Sequence, residues 1–206
     1  MKSPIEIEQE IDVFFRSINF ERVSEYVGKS PEFANADYVD QSRKIIVELK
    51  VLDKDYFVDG GFINILHSFV PKPVEVNKEG IGLYTIKMPQ GKRDTFEEPL
   101  RRLIKKANRQ IRETKNYLFC GDGLGFIMIA LSEFKSLHLE ALTEMICNIL
   151  CEGFSSISGV IICTPTWINP SCISATIHNN AEIHSIRFEI AEAWSRFVDT
   201  GGHSSG

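Results

Sequence analysis

The sequence predicts an α/β protein, a three-layer α/β/α sandwich with a mixed central sheet. Helical and strand patterns alternate along the chain in the order helix, β-hairpin, helix, strand, helix and strand, followed by a mixed end. Two apolar runs, "FIMIAL" at 126–131 and "SGVIICT" at 158–164, are typical of strands that are covered on both faces. The 206 residues, 43% of them hydrophobic, suffice for one domain, which we place at 1–200, with a flexible tail at 201–206.

Four helices are predicted from capping residues and apolar spacing. Ser3 and Glu6 match the N-cap and the third-position carboxylate of a capping box, so a helix should begin there. A second helix begins at Leu100, a third spans 134–151, and a fourth passes through Trp194. The apolar stripes of the first two helices are Ile7, Ile11, Phe14, Phe15 and Ile18, and Leu103, Ile104, Ala107, Ile111, Thr114 and Leu118.

Further strands are predicted where β-forming residues lie between turn residues. A hairpin joins strands at 33–39 and 44–52 through a tight turn at 40–43, and another strand is expected at 173–177. Residues 53–98 are rich in glycine and proline, and we interpret them as an irregular insertion with short strands.

Charge, cysteine content and hydropathy limit the possible functions. The net charge of −5 argues against a protein that coats nucleic acid indiscriminately, since that mode depends on neutralising phosphates, but it is compatible with a locally basic groove. The five cysteines form no Cys-x-x-Cys pair, so we expect reduced thiols, and small apolar side chains rather than a zinc site. The acidic start and the lack of a long apolar run predict a soluble, cytoplasmic protein that does not enter a membrane.

Two charges lie in the interior of the predicted strand at 44–52. Glu48 and Lys50 are two positions apart, so both lie on one face of the strand, together with Ile46. If the hairpin loop has two residues, Asp37 lies opposite Ile46 and diagonal to Glu48, where the two carboxylates could share a ligand. A loop one residue longer would place Asp37 on the other face.

The two acids, Asp37 and Glu48, indicate metal chemistry. Partly buried carboxylates repel each other and lose hydration unless a cation compensates. Mg²⁺ prefers a few carboxylate oxygens and keeps waters in its other positions, and such a water can be activated to attack a phosphodiester. The alternative is a structural ion pair between Glu48 and Lys50, with Asp37 merely supporting the turn.

The spacing of these residues resembles that of the PD-(D/E)xK nuclease-like superfamily. Asp37 is followed after eleven positions by "ELK" at the end of a hydrophobic strand, as in bacterial members that carry "NAD(Y/F)…ELK". The resemblance covers 3–131 without the insertion and implies a restriction-endonuclease-like core. It also implies that Asp37 and Glu48 hold Mg²⁺, or Mn²⁺, while Lys50 assists the attacking water. Ala36 stands where the family name expects proline.

The helix from Leu100 concentrates positive charge in an acidic protein. Its seven cations face a single acid, Glu113, so it could lie along a nucleic-acid backbone, although a solvated surface helix would look the same. The cations are Arg101, Arg102, Lys105, Lys106, Arg109, Arg112 and Lys115.

Two further residues are candidates for a supporting role. Gln110 lies at the border of the apolar stripe and can point toward the sheet; the resemblance implies that it lines the site, and the alternative is a boundary glutamine without a role. The resemblance also implies a glutamate from the first helix at the metal. We prefer Glu10, because capping explains Glu6, whereas Glu8 and Asp12 should point to solvent.

Three functions are compatible with these observations. The first is a Mg²⁺-dependent nuclease, expected to act on DNA, and the presence of all of Asp37, Glu48 and Lys50 favours it. The second is an inactive nuclease-fold module that binds nucleic acid through the basic helix. The third is a protein-interaction domain, for example a homodimer that uses "GGFINILHSFV" at 60–70 as its interface.

Overall fold

The computed structural model describes most of the chain outside the predicted insertion. The described residues are 3–28, 31–52, 75–76, 82–83, 90–119, 121–132, 139–164, 172–176 and 180–200. The predicted tail at 201–206, the segment at 60–70 and most of the insertion lie outside them.

The described residues form five helices and eight strands. The helices are α1 (Pro4–Ser17), α2 (Val23–Val27), α3 (Gln90–Phe119), α4 (Leu139–Leu150) and α5 (Ala181–Asp199). The strands are β1 (Glu21–Arg22), β2 (Tyr38–Asp40), β3 (Ile45–Leu52), β4 (Glu75–Val76), β5 (Gly82–Leu83), β6 (Leu124–Leu131), β7 (Gly159–Cys163) and β8 (Cys172–Thr176).

Six of these strands form one mixed sheet in the order β1-β2-β3-β6-β7-β8. The central strands β3, β6 and β7 are parallel to one another, whereas β1–β2, β2–β3 and β7–β8 pair antiparallel. The remaining two strands, β4 and β5, pair with each other. The predicted mixed α/β architecture is therefore confirmed.

Helices cover both faces of the sheet, and each face has its own core. Apolar residues of α3 and α4 pack on one face, against side chains such as Ile46, Ile127 and Val160. Residues of α1 and α5 pack on the other, where Phe14 meets Trp194 edge-on with 5.0 Å between ring centroids. Strand alternation sends neighbouring residues of β3 to opposite cores, so the charged positions of that strand must face one of them.

The cap of α1 is confirmed in detail. The amide of Glu6 donates to Ser3 Oγ at 3.3 Å, and the amide of Ser3 donates to Glu6 Oε2 at 2.6 Å. Ile7, Ile11 and Phe14 are buried, as the apolar stripe predicts. Capping thus accounts for Glu6, as the sequence indicates.

Helix α3 begins ten residues earlier than predicted, at Gln90 rather than at Leu100. Its first residues, 90–98, were predicted to belong to the irregular insertion, and Pro99 lies inside the helix. The apolar period from which the start was predicted begins only at Leu100. The other predicted helices and strands occur close to their expected positions within the described residues.

The hairpin between β2 and β3 differs from the prediction in loop length. Asp40 pairs with Ile45 and Tyr38 with Val47, so the loop holds the four residues 41–44 instead of two. The loop is two residues longer than predicted. Because side chains alternate between the two faces, a shift by an even number of residues leaves each side chain on its predicted face. The predicted strand at 33–39 is also too long, because only Tyr38–Asp40 joins the ladder.

Candidate active site

Strand β3 carries Glu48 and Lys50 toward helix α3. Ile46 and Leu52, on the same face of the strand, pack in the core with α3, whereas Val47 packs in the core with α1. Glu48 is only 1% exposed, and the side chain of Lys50 is 15% exposed. Glu48 and Lys50 therefore share one face of the strand, as its alternation predicts. Both side chains are far more buried than those of a solvated ion pair.

Asp37 reaches the same place from the residue before β2. Its Oδ2 accepts a hydrogen bond of 2.9 Å from the backbone amide of Leu49, the residue between Glu48 and Lys50. The four-residue hairpin loop brings Asp37 level with Glu48, where the sequence predicted a diagonal placement. The structure therefore brings together Asp37, Glu48 and Lys50.

The carboxyl group of Glu48 is in an unfavourable environment for a negative charge. Burial, together with the neighbouring charge of Asp37, raises its pKa to about 8, while Lys50 opposes the change. Its Oε1 accepts a hydrogen bond from Lys50 Nζ. Its Oε2 is buried and has no hydrogen-bond partner among the described residues. A buried carboxylate oxygen without a donor is rare, and a bound cation would supply what it lacks.

Gln110 on α3 links Lys50 to the segment before β2. Lys50 Nζ donates to Gln110 Oε1 at 3.0 Å, and Gln110 Nε2 donates to the carbonyl of Asn35 at 2.9 Å. The amide therefore holds the lysine on one side and the backbone on the other. Gln110 lies at the site, where the sequence placed it.

Two neighbours of Gln110 hold the same segment. Glu113 Oε2 accepts from the amide of Ala34 at 2.7 Å, and Thr114 Oγ1 accepts from the amide of Ala36 at 2.8 Å. These bonds replace the strand pairing that was predicted at 33–39, because the backbone groups are already used by helix side chains. They also explain why Ala36 is suitable here, since a proline would have no N–H to donate to the buried Thr114.

Arg22 is a component of the site that the sequence did not indicate. Its Nε donates to Asp12 at 2.5 Å and its Nη1 donates to Asp37 Oδ1 at 3.4 Å, while the guanidinium lies 4.6 Å from the centre of the Tyr38 ring. Antiparallel pairing of β1 with β2 places Arg22 directly opposite Tyr38. Strand β1 has only two residues, so no alternation could have revealed it. Asp12 was expected to point to solvent, and its half-buried pairing with Arg22 corrects that expectation.

Glu10 lies on α1, across the sheet from the side chain of Glu48. Its Oε1 is buried, and the residue as a whole is half-buried. Its role at a metal stays a prediction. Glu8 is exposed, as expected.

Most of the predicted cations on α3 border an open groove, which we call the basic groove. The groove has a volume of about 710 Å³ and is closed on its far side by Gly153 and Phe154, in the turn after α4. Its cations are Arg101, Arg102, Lys105, Lys106, Arg109 and Arg112.

Lys115 does not belong to this group. It is buried, and its Nζ donates to the carbonyl of Ser156 at 3.0 Å. Burial also lowers the pKa of the amine. The predicted contact of Lys115 with nucleic acid is therefore wrong, because a lysine directed into the protein cannot reach a phosphate at the surface.

The donors at the site suit a small, hard divalent cation. Asp37 and Glu48 supply carboxylate oxygens, which Mg²⁺ and Mn²⁺ prefer. Because Oε2 of Glu48 accepts no hydrogen bond from the residues that the structure describes, it is the oxygen that a cation would stabilise most. The side chain of Asp37 is 32% exposed, so solvent has access to one side of the pair. Mg²⁺ usually keeps several waters, which such access allows.

Comparison of the chain with protein-family models, with curated proteins and with solved structures gave no match in any of the three. The structure itself defines an α/β protein whose mixed, six-stranded sheet is flanked by helices. None of the helices in the described part of the chain is both long and apolar enough to cross a membrane.

Proposed function

We propose that this protein is a metal-dependent nuclease that hydrolyses phosphodiester bonds, with DNA as the expected substrate. The observation that carries the proposal is the buried Oε2 of Glu48, which has no hydrogen-bond partner among the described residues and lies beside a second carboxylate. A protein gains no stability from such an arrangement, so a function that needs it is the better explanation.

Each side chain has a distinct task in this proposal. Asp37 and Glu48 hold Mg²⁺ or Mn²⁺, which when bound polarises the phosphate and supplies an activated water. The amine of Lys50 lies next to Glu48, where it can donate a hydrogen bond to a phosphate oxygen or to the water. Gln110 restrains the amine of Lys50 through a hydrogen bond of 3.0 Å. The resemblance to PD-(D/E)xK nucleases supports the same assignment.

A cleavage assay tests this proposal. Linear, circular and single-stranded DNA, and RNA, would be incubated with Mg²⁺ or Mn²⁺ and with wild type, Lys50→Ala or Lys44→Asn. Lys44 is a matched control, because it lies just before β3 but pairs with the exposed Asp122, and asparagine tolerates its positive φ of 54°. We expect cleavage by wild type and the control, and a loss of at least about 100-fold in Lys50→Ala.

Metal binding provides a second, independent readout. Calorimetric titration with Mn²⁺ should show one site in wild type and much weaker binding in Asp37→Asn. If wild type binds no divalent cation and cleaves none of the substrates, the proposal is wrong.

A nucleic-acid-binding module without catalysis is the second candidate, and the basic groove favours it. It predicts salt-dependent binding of nucleic acid by wild type, with no cleavage under any metal. The same assay therefore separates the two candidates.

A further inference from the structure

We infer that the basic groove binds the sugar-phosphate backbone of a nucleic acid, at a place separate from the Asp37–Glu48 pair. The inference rests on the proposed function for its class of substrate, but it concerns binding and not cleavage. It would extend the contact between protein and nucleic acid to the far flank of α3.

The contacts of α3 put the basic groove and the candidate active site on opposite flanks of the helix. Gln110 faces Lys50 and the segment before β2. On the other flank, Asn108 Oδ1 accepts from the amide of Ser156 at 3.1 Å, and Arg101 pairs with Glu152. A nucleic acid in contact with both regions would therefore cross α3.

Charge is the main argument for this ligand. The whole chain carries a net charge of −5, yet the basic groove brings together six cations on one helix. Three of them, Arg101, Arg102 and Arg109, form ion pairs with neighbouring acids. Lys105 and Lys106 are exposed, and neither has an ion-pair partner in the part of the chain that the structure describes. Unpaired like charges along one surface repel each other, and a polyanion relieves that repulsion.

The length of the cationic row suits a nucleic-acid strand. Arg101, Lys105 and Arg112 share one flank of the helix, at spacings of four and seven residues. At about 1.5 Å per residue, the row from Arg101 to Arg112 extends over about 16 Å. This length corresponds to about five nucleotide steps at about 3.4 Å per step along one strand.

An acid next to the basic groove allows a substitution that should strengthen binding instead of weakening it. Glu152 pairs with Arg101 in an exposed ion pair and so competes with any phosphate for that guanidinium. Removing its charge should strengthen binding, whereas removing Lys105 and Arg112 should weaken it. Misfolding would not produce both results.

The experiment measures binding without cleavage. Fluorescence anisotropy in EDTA, with labelled single-stranded DNA, duplex DNA and RNA, gives the affinity over a range of salt concentrations. The test variants are Glu152→Gln and the double variant Lys105→Ala/Arg112→Ala. The matched control is Arg16→Ala/Arg196→Ala, which removes the same charge from exposed positions on α1 and α5, across the sheet.

We expect the double variant to weaken binding at least about tenfold and to reduce the slope of log K against log salt by about 1.4–1.8, for two lost phosphate contacts. Glu152→Gln should tighten binding about two- to fivefold, because the phosphate no longer competes with an exposed ion pair whose free energy corresponds to that factor. The control should match wild type. Which oligonucleotide binds most tightly identifies the kind of nucleic acid.

Three results would overturn the inference. They are equal binding by the double variant and the control, no binding of any oligonucleotide by wild type, and competition by polyglutamate as strong as that by DNA. The first leaves the proposed nuclease intact, because cleavage depends on Lys50 and not on the basic groove. Metal-dependent cleavage by wild type tests the nuclease separately.

Discussion

The buried carboxyl group of Glu48 should make stability depend on pH in a way that a single substitution removes. Glutamine has nearly the same shape as glutamate but does not ionise. The Glu48→Gln variant therefore keeps the packing beneath α3 and removes the cost of a buried charge. The comparison is made in EDTA, so that no divalent cation contributes.

The sign and size of the effect follow from the pKa of Glu48. Below its ordinary value of 4.5 the group is protonated in both the folded and the unfolded protein, and it contributes no pH dependence. Between pH 4.5 and about 8 the folded protein keeps a proton that the unfolded chain has released, so stability falls as the pH rises. A change in pKa from 4.5 to about 8 lowers the unfolding free energy by at most about 5 kcal/mol once the pH exceeds 8.

Chemical denaturation at several pH values between 5 and 9 measures this effect. The unfolding free energy of Glu48→Gln should rise relative to that of wild type by about 2–4 kcal/mol over this range. Glu8→Gln, an exposed position on α1, is the control. Parallel curves for wild type and Glu48→Gln would refute the reasoning.

Three further predictions concern the neighbours of Glu48. Ala36→Pro should lower the unfolding free energy by about 1–3 kcal/mol, since it removes the donor to the buried Thr114; equal stability of Ala36→Pro and wild type in urea would contradict this. Arg22→Met should lower the unfolding free energy by about 1–3 kcal/mol, whereas Arg16→Met, which removes an exposed ion pair, should lower it by less than about 1 kcal/mol. Equal losses in the two variants would argue that Arg22 contributes no more to stability than a surface arginine. Saturating Mg²⁺, at about 100 times its Kd, should stabilise wild type by about 2.7 kcal/mol in thermal unfolding but leave Asp37→Asn unchanged.

The sequence predicted those parts of the fold that depend on periodicity and local chemistry. The cap of α1, the apolar stripe of α3 and the burial of β6 each follow from a few neighbouring residues. The common face of Glu48 and Lys50 follows from alternation alone. Even an error of two residues in the hairpin loop left Asp37 beside Glu48, because alternation repeats every two residues.

The features that the sequence did not predict depend on contacts between distant segments. The path of residues 34–36 is fixed by side chains of α3, about 78 positions away along the chain. Arg22 belongs to a strand too short for any pattern, and Lys115 looked like the other cations of its helix until its burial was known. Propensity and spacing carry no information about such long-range contacts.

Helix α3 has a thermodynamic consequence through its position between two proposed ligand sites. The same helix presents the basic groove on one flank and holds Gln110 against Lys50 on the other. If binding of a nucleic acid shifts α3 against the sheet, the affinity for a divalent cation must change by a certain factor. By linkage, the cation must then change the affinity for nucleic acid by the same factor. Measuring either affinity with and without the other ligand would give the coupling free energy between the two sites.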